Sequence, residues 1–600
     1  MTTPEIRDLT LAQMLRAHAN ERPESLALRQ KDFGIWQAYS WQDYYERARH
    51  FGMGLRALGL SEGGHVAIIS ENRVEWVIAQ MGTGLVNGIC VGVYPTSPWN
   101  EVAYVLEHSD VEMVVCEDQE QTDKVLEAWP QLPQLKHNIV IDMKGLRYYP
   151  APPSSFENIE ALGREFEKNH PGLVDQLLDS QQMADTALMI YTSGSTGRPK
   201  GAMITWGNLH AAAPGLLDML SVDENSSSLS YLPLCHVAEQ ALTNIAPVYA
   251  GSAVSFGESL RTVQEDLREI APTFFLGVPR IWEKLHSSIY IKIQETGRFR
   301  KGLFRHAMKV CQPMATRSKE QWSAIERLRY GAYYWLVFRA LQNFIGLRRC
   351  TIALTGAAPI STGILQFFRT IGIPLVEVYG QTESTGVATA QPVDDIRLGT
   401  VGVAVTGVEV KLGEHNEIIM RGGSMFKGYY KNDDATESTL KDGWLHTGDV
   451  GEWQDGQLRI VDRLKDIMIT AGGKNLSPTE IENTVKASPY IKECIVIGEA
   501  RKYVSALIQI DFETVAKWAE QERIAYTTFR SLTEHERVRT LIQAEVEKGN
   551  DKLPQVAQIK RFHLLAKELD HDDDEVTATM KVRRSNIYEK YTEVIESLYA

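Results

Sequence analysis

The segment Tyr191-Thr-Ser-Gly-Ser-Thr-Gly-Arg-Pro-Lys-Gly201 concentrates the groups that hold phosphate. Glycines free the backbone N–H groups of such a turn to point at an anion, hydroxyls add donors, and Lys200 adds a positive charge. The spacing is not that of a Walker A loop. Counted from Gly194, that loop needs a glycine before Lys200 and a hydroxyl after it, whereas the chain has Pro199 and Gly201. Other groups able to do chemistry are His236, Glu383, Asp449 and Lys581, the last in the basic run Met580-Lys-Val-Arg-Arg584. The acidic HDDDE at 571–575 reads as a solvated loop rather than a metal site. The six cysteines (90, 116, 235, 311, 350, 494) form no CxxC pair, so a disulfide framework or zinc site is not expected and most belong in the core.

These groups need elements to carry them. HVAIIS (65–70), ICVGVYP (89–95) and VEMVVCE (111–117) alternate with amphipathic stretches starting near 72 and 100, the pattern of βαβ units on a parallel sheet. Ser40 followed by Asp43 predicts a capped helix start, with helical spacing to Leu60. ALMIYT (187–192), TIALTG (351–356) and LVEVYG (375–380) each end in a Gly/Ser/Thr-rich turn, where ligands of α/β sheets sit, so three strand ends are candidates to share one site. After Asp462 the texture changes to smaller α+β elements. The expected organisation is a large multi-layer α/β N-terminal domain, 1–462, and a smaller mobile α+β C-terminal domain, 463–600.

Composition limits the classes. A chain of 600 residues, 44% hydrophobic and 23% charged, exceeds what one core supports and reads as several globular domains. The N-terminus has no basic and apolar succession of a secretory signal and makes a poor transit peptide, so a cytoplasmic location is expected. Val74 to Tyr94 carries Glu75, Gln80, Asn87 and four glycines, which fits a buried helix and strand and not the ~20 apolar residues of a membrane span. A net charge of −14 disfavours nucleic acid. Yet between Arg298 and Cys350 twelve Lys or Arg stand against two Glu, interleaved with Phe299, Phe304, Trp322, Tyr333, Tyr334, Trp335 and Phe338. That segment is a candidate for peripheral membrane contact.

The Tyr191–Gly201 segment, with Leu232-Pro-Leu-Cys-His236, Gly356-Ala-Ala-Pro359, Tyr379-Gly-Gln-Thr-Glu383, Gly443-Trp-Leu-His-Thr-Gly-Asp449, Asp462-Arg-Leu-Lys-Asp-Ile467, Gly472-Gly-Lys-Asn-Leu-Ser-Pro478 and Thr579-Met-Lys581, resembles the adenylate-forming superfamily in order and nearly throughout. That superfamily includes acyl-CoA synthetases, luciferase and peptide-synthetase adenylation domains. The resemblance implies ATP, Mg²⁺ and coenzyme A as cofactors and an acyl-adenylate as intermediate.

By that resemblance Thr192, Ser193, Gly194, Ser195, Thr196, Gly197 and Lys200 cradle the phosphates. Glu383, with Thr192 or Thr196, positions Mg²⁺. Gly356, Ala357, Ala358, Pro359 and Tyr379 are similar to an adenine-binding wall, continued by Gly380, Gln381 and Thr382. Asp449 would accept the ribose hydroxyls, with Arg463 beside it. Lys581 would contact the charge that develops in adenylation. Lys465 falls at the family's hinge, and Gly472, Gly473 and Lys474 at the loop lining the thiol's tunnel. His236 lies where the family approaches the acyl carboxylate. Many members have Gly-Lys where this chain has Met580-Lys581.

Gly277-Val-Pro-Arg-Ile-Trp-Glu-Lys284, the helical insertion to about Arg349 and the Met-Lys-Val-Arg-Arg ending are similar to long-chain fatty-acid–CoA ligases. Leu234-Cys235-His236 lacks the acid that would hold an amino acid's amine, and with no carrier domain after Ala600 free coenzyme A is the expected acceptor. Gln240 falls where some fatty-acid ligases have a bulky aromatic gate, so chain length stays open. Also open are another hydrophobic acid (aryl, bile-acid-like or polyketide), transfer to a carrier protein, and a non-catalytic nucleotide- or acyl-binding regulator.

Overall fold

The computed structural model describes residues 7–149, 153–192, 198–259, 261–464, 467–570, 573, 575–576 and 582–600. The alternating apolar runs become an eight-stranded sheet ordered Gly428–Tyr429, Lys200–Thr205, Thr186–Thr192, Ile89–Val93, His65–Ile69, Val111–Cys116, His137–Val140, Ser154–Ser155. From Thr186–Thr192 outward all neighbours are parallel, while the first two strands join antiparallel. A second sheet runs Phe274–Gly277, Ile352–Thr355, Leu375–Gln381, Gly386–Ala390, Val403–Ala404, parallel for the first three strands and antiparallel thereafter. A four-stranded sheet includes Ser227–Ser230 and Ala253–Phe256, and another mixes Glu417–Gly422 with the long hairpin of Trp444–Gln454 and Gln457–Arg463.

One hydrophobic core threads both large sheets and the helices between them. The stretch read as buried is the helix Val74–Leu85 and the strand Ile89–Val93, and all six cysteines are free and buried. Past residue 467 the chain packs its own cores around Ile491–Ile497, Val504–Ile510 and Ile559–Leu564, the last two strands parallel. Among the described residues no helix is long and apolar enough to cross a membrane.

The acidic run differs from its reading as a solvated loop. Glu575 is fully buried, with Lys567 and Lys590 each 2.9 Å from its carboxylate. The two cations offset the burial of this carboxylate, and both also pair with the exposed Asp573. His571, Asp572 and Asp574 lie outside the described residues.

Helix Trp41–Ala57 starts on the expected capping box of Ser40 and Asp43. It lies so close to Phe156–Asn169 that a Cβ on Gly163 would collide with the His50 carbonyl oxygen. Here a backbone atom, not a pliable side chain, sets the limit. Alanine gains about 1 kcal/mol over glycine in a helix interior, but forcing two packed backbones apart costs about 1–3 kcal/mol. Gly163→Ala is therefore expected to lower the thermal unfolding midpoint. Gly302→Ala, in a helix where a Cβ meets nothing within 4 Å, is expected to raise it. Equal shifts of the same sign would show that close approach does not decide the matter.

Candidate active site

The three Gly/Ser/Thr-rich strand ends lie together. In the first, Thr192 and Lys200 face each other across the antiparallel pair, while Ser193, Gly194, Ser195, Thr196 and Gly197 lie outside the described residues. Both flanks of this turn are fixed by helix Trp99–His108. The Tyr104 hydroxyl donates to Pro199 O at 2.9 Å, the Arg198 guanidinium lies 5.0 Å from the Tyr104 ring, and His108 Nδ1 is 2.7 Å from the Tyr191 hydroxyl.

From Lys200 a polar chain leads to the third strand end. Its ammonium sits 5.0 Å from the Tyr429 ring centroid, and the Tyr429 hydroxyl donates to Glu383 Oε1 at 2.5 Å. Tyr429 is placed by its pairing with Ala202, next to the turn, and Phe426 N–H donates to Glu383 O at 2.8 Å. Burial, and then the adjoining Glu383 carboxylate, push the Tyr429 hydroxyl well above its ordinary range, so it remains a donor. Glu383 itself is half-buried. Among the described residues no group of three or more His, Cys, Asp or Glu could cage a metal. A half-buried carboxylate beside a phosphate turn fits Mg²⁺, which takes one or two carboxylates and completes its shell with phosphate oxygens and water.

Asp449 is the most constrained carboxylate. Its Oδ2 accepts from the Tyr379 hydroxyl at 2.6 Å and from Gln381 Nε2 at 2.8 Å, and Gln381 Nε2 also donates to Thr447 O at 3.0 Å. Oδ1 lies 3.5 Å from Arg463 Nε, across the hairpin where the two residues are register partners. Asp449 is buried and Arg463 half-exposed, so the pair sits at the mouth of the site. Burial, then Asp449, push the Tyr379 hydroxyl up and keep it a donor. Gly380 passes so close to the next strand that a Cβ would collide with Gly386 O; Thr382 is buried behind it. Gly356 is likewise packed, its Cβ position 2.9 Å from Val378 Cγ2, whereas Ala357, Ala358 and Pro359 are exposed and Ala357 adopts φ 66°. This left-handed turn keeps an open ledge beside Tyr379.

His236 lies on a different wall. Its Nδ1 accepts from Ala238 N–H at 3.1 Å, capping a short helical turn. A Cβ on Gly92 would lie 2.7 Å from Cys235 Cα, which fixes this segment against the eight-stranded sheet. Beyond it a π-helical turn, Gln240–Ile245, carries buried amides: Gln80 and Gln240 exchange hydrogen bonds at 2.9 and 3.1 Å, and Asn244 Nδ2 donates to both, at 2.8 and 2.9 Å. Burial pushes the neighbouring Glu239 up to about 7.

Not all expected residues meet here. Gly472, Gly473 and Lys474 tip a small hairpin, with Gly472 and Gly473 exposed, whose backbone pairs with Ala500 and Arg501. Lys465 and Lys581 lie outside the described residues. Just after Lys581, however, the Arg583 guanidinium is 3.3 Å from Glu101, on the helix that flanks the phosphate turn. Arg584 anchors the same segment through two bonds to Glu482, at 2.6 and 3.0 Å. Sequence reasoning missed Tyr429, Glu101 and Arg583. Gly428-Tyr-Tyr430 offers a faint signal for the first, and nothing local marks the pairing of the other two.

A buried carboxylate under a tyrosine and a glutamine, a second carboxylate beside Tyr429 near Lys200, and a C-terminal segment that meets Glu101 sit within the two-part fold of the adenylate-forming class of enzymes. The chain belongs to the AMP-binding enzyme family: residues 15–430 match its main profile and residues 465–600 the profile described as AMP-binding enzyme C-terminal domain. It is 29% identical to the long-chain-fatty-acid–CoA ligase FadD15 of Mycobacterium bovis, covering 98% of this chain and 97% of that one. To the long-chain-fatty-acid–CoA ligase ACSBG2 of Xenopus laevis it is 31% identical, covering 98% and 84%. In fold it is similar to the adenylation domain of a carboxylate reductase from Mycobacterium chelonae (TM-score 0.75, 19% identity, 100% and 92% covered) and to ATP-bound MatB from Rhodopseudomonas palustris (0.69, 20%, 97% and 99%).

Glu377, two residues before Tyr379, offers a pH test. Its Oε2 has no hydrogen-bond partner and burial pushes the carboxyl up to about 8. The folded chain thus holds this proton more tightly than the unfolded one, so the associated stability is complete below the ordinary carboxyl range and lost as pH rises through about 8. Glu377→Gln is expected to flatten that decline, by up to about 1.4 kcal/mol per pH unit between about pH 5 and 8. Parallel declines in urea-unfolding midpoints of parent and variant would mean that Glu377 ionises normally in the fold.

Proposed function

We propose that the chain ligates a long-chain fatty acid to coenzyme A with ATP, releasing AMP and pyrophosphate. The observation that carries the reading is that the end of strand Leu375–Gln381 gathers two carboxylates: Asp449, from the neighbouring hairpin, under Tyr379 and Gln381, and Glu383, under Tyr429. Asp449 would bind the ribose diol and Arg463 would steady it. The ledge from Gly356 through Ala357 and Ala358 to Pro359, with Tyr379, would hold adenine, and Thr192 to Lys200 the phosphates. Glu383, with Thr192 or Thr196, would hold Mg²⁺, which supplies charge neutralisation when bound.

In the first step a carboxylate oxygen of the acid bonds to the α-phosphorus and the bond to pyrophosphate breaks. Two anions approach, so cationic and N–H groups must already be in place. Lys200 stands at the turn, and Lys581 would come in with the segment that Arg583 holds against Glu101. In the second step the coenzyme A sulfur bonds to the acyl carbon and AMP leaves. His236 would border the acyl carboxylate. The curated relatives named above are long-chain-fatty-acid–CoA ligases, which favours a fatty acid over an aryl, bile-acid-like or polyketide acid and coenzyme A over a carrier protein. Such an acid partitions into bilayers, so contact with a membrane belongs to the same reading.

ATP–pyrophosphate exchange over a panel of acids, followed by thioester formation with and without coenzyme A, tests the assignment. Exchange is expected to be highest with long-chain acids and thioester to require coenzyme A. Highest exchange with aryl or polyketide acids would overturn the substrate, and no exchange with any acid would leave a binding regulator.

Residues 1–462 and 463–600 are taken as domains that rearrange between steps about Lys465. Lys581→Ala is expected to depress acyl-AMP formation by roughly 10²-fold, the scale for losing a preorganised electrostatic contact, while supplied acyl-AMP is still converted to thioester. Lys465→Pro, which fixes φ at the pivot, is expected to make acyl-AMP and pass it poorly to coenzyme A. Equal losses in both half-reactions for each variant would refute the rearrangement.

A further inference from the structure

The basic segment resolves into a surface with a definite shape. Helix Ala324–Tyr333 runs through a π-helical turn, Tyr334–Phe338, into Arg339–Phe344. One side of this continuous run is packed: Val337, Phe338 and Leu341 are buried, and the Tyr330 ring lies 4.9 Å from Trp322 and 5.8 Å from Phe338. The opposite side is apolar as well, with Ile325 63%, Leu328 76%, Trp335 66% and Leu336 65% exposed. Ile325, Leu328 and Trp335, three and seven residues apart, recur on one face of the helix and Leu336 borders it, so the four form one outward stripe. An isolated exposed leucine needs no explanation, but four large apolar side chains on one stripe do.

The surroundings of the stripe are cationic. Arg327 and Arg329 are exposed on the same helix, and the Arg339 guanidinium lies 4.6 Å from the Trp335 ring. Helix Arg298–Cys311 packs alongside, with the His306 and Tyr333 rings 5.9 Å apart. It carries Phe299, 82% exposed, flanked by Arg298, Arg300 and Lys301. Of the twelve basic side chains between Arg298 and Cys350, Arg317 alone forms an ion pair with a carboxylate among the described residues. This net excess of ten positive charges stands in a chain of net −14.

Resting on the fatty-acid reading, we propose that the outward stripe Ile325–Leu336, with Phe299, docks on an anionic lipid surface. Apolar side chains of such a stripe enter the boundary of headgroups and acyl chains, while the basic side chains meet anionic headgroups and lay their alkyl stems along the apolar layer. The charge disfavours a second copy docked on this same face, which would bring like charge to the contact, and the long-chain acid of the proposed reaction, which partitions into bilayers, favours an anionic lipid surface over an acidic protein. Docking would set the enzyme where a long-chain acid is dissolved.

The test is cosedimentation of the full chain with vesicles of phosphatidylcholine alone and of phosphatidylcholine with phosphatidylglycerol, at low and moderate salt. Binding is expected on the anionic vesicles and is expected to weaken with salt. Leu328→Glu with Trp335→Glu is expected to abolish it. Arg327→Gln with Arg329→Gln is expected to weaken it roughly tenfold or more on anionic vesicles. Both double variants are expected to keep parental exchange activity on acid presented in detergent, which shows that they fold. Equal binding to both vesicle types, binding to neither, or parental binding by the variants overturns the proposal. So does self-association that depends on Leu328 and Trp335 while vesicle binding persists, since the face would then belong to a second copy. Vesicle binding through this face without activity on fatty acids leaves the surface standing and removes the substrate reading; activity without vesicle binding does the reverse.

Discussion

The site is organised around one carboxylate, Asp449, that lies nearly out of water. A buried carboxylate without partners is strongly disfavoured, and one with some partners removed is worse than an apolar residue of the same shape. Asp449 draws two donors, Tyr379 and Gln381, from a single strand, and faces the Arg463 guanidinium, 3.5 Å away, on the opposite arm of its hairpin. The constraint passes outward. Tyr379 and Gln381 can reach Asp449 only while their strand keeps its register with Gly386–Ala390, and that register depends on Gly380 having no side chain. The same strand end then aims Glu383 at Tyr429, whose ring lies beside Lys200.

What the sequence discloses divides along the line between local and non-local order. The strands ending at Thr192, Thr355 and Gln381, the capped helix at Ser40 and the burial of the cysteines follow from periodicity, capping chemistry and composition within a few residues. Glu383 and Asp449 stand out through the resemblance of Tyr379–Glu383 and Gly443–Asp449 to the family's motifs, not through local spacing. Tyr429 does not, because its meaning comes from a two-residue strand pairing with a segment more than two hundred residues earlier. Glu575 was misleading for a related reason: a run of acids looks solvated until Lys567 and Lys590 converge on Asp573 and Glu575 together. Arg583 and Glu101 are nearly five hundred residues apart, and neither lies in a pattern that names the other.

The wall at His236 obeys another logic. Gln80, Gln240 and Asn244 close a ring of amides on a π-helical turn, a geometry often found where function bends a helix. The ring is incomplete, since Asn244 Oδ1 is buried without a partner, yet its four amide bonds tie Gln80, on one helix, to the turn that follows His236. The Ala357 turn, by contrast, is open to solvent.

The contact between Arg583 and Glu101 differs in kind from everything around it. Both side chains remain partly wet, and ion pairs of that exposure contribute at most about 1 kcal/mol. Arg584 next door is held by two bonds to Glu482 within its own half of the chain. One arginine thus fastens the segment firmly to the body that carries it, and its neighbour touches the opposite body with little grip. The pair between Arg583 and Glu101 thus resembles a doorstop, a surface that marks where the segment lies, more than a bolt.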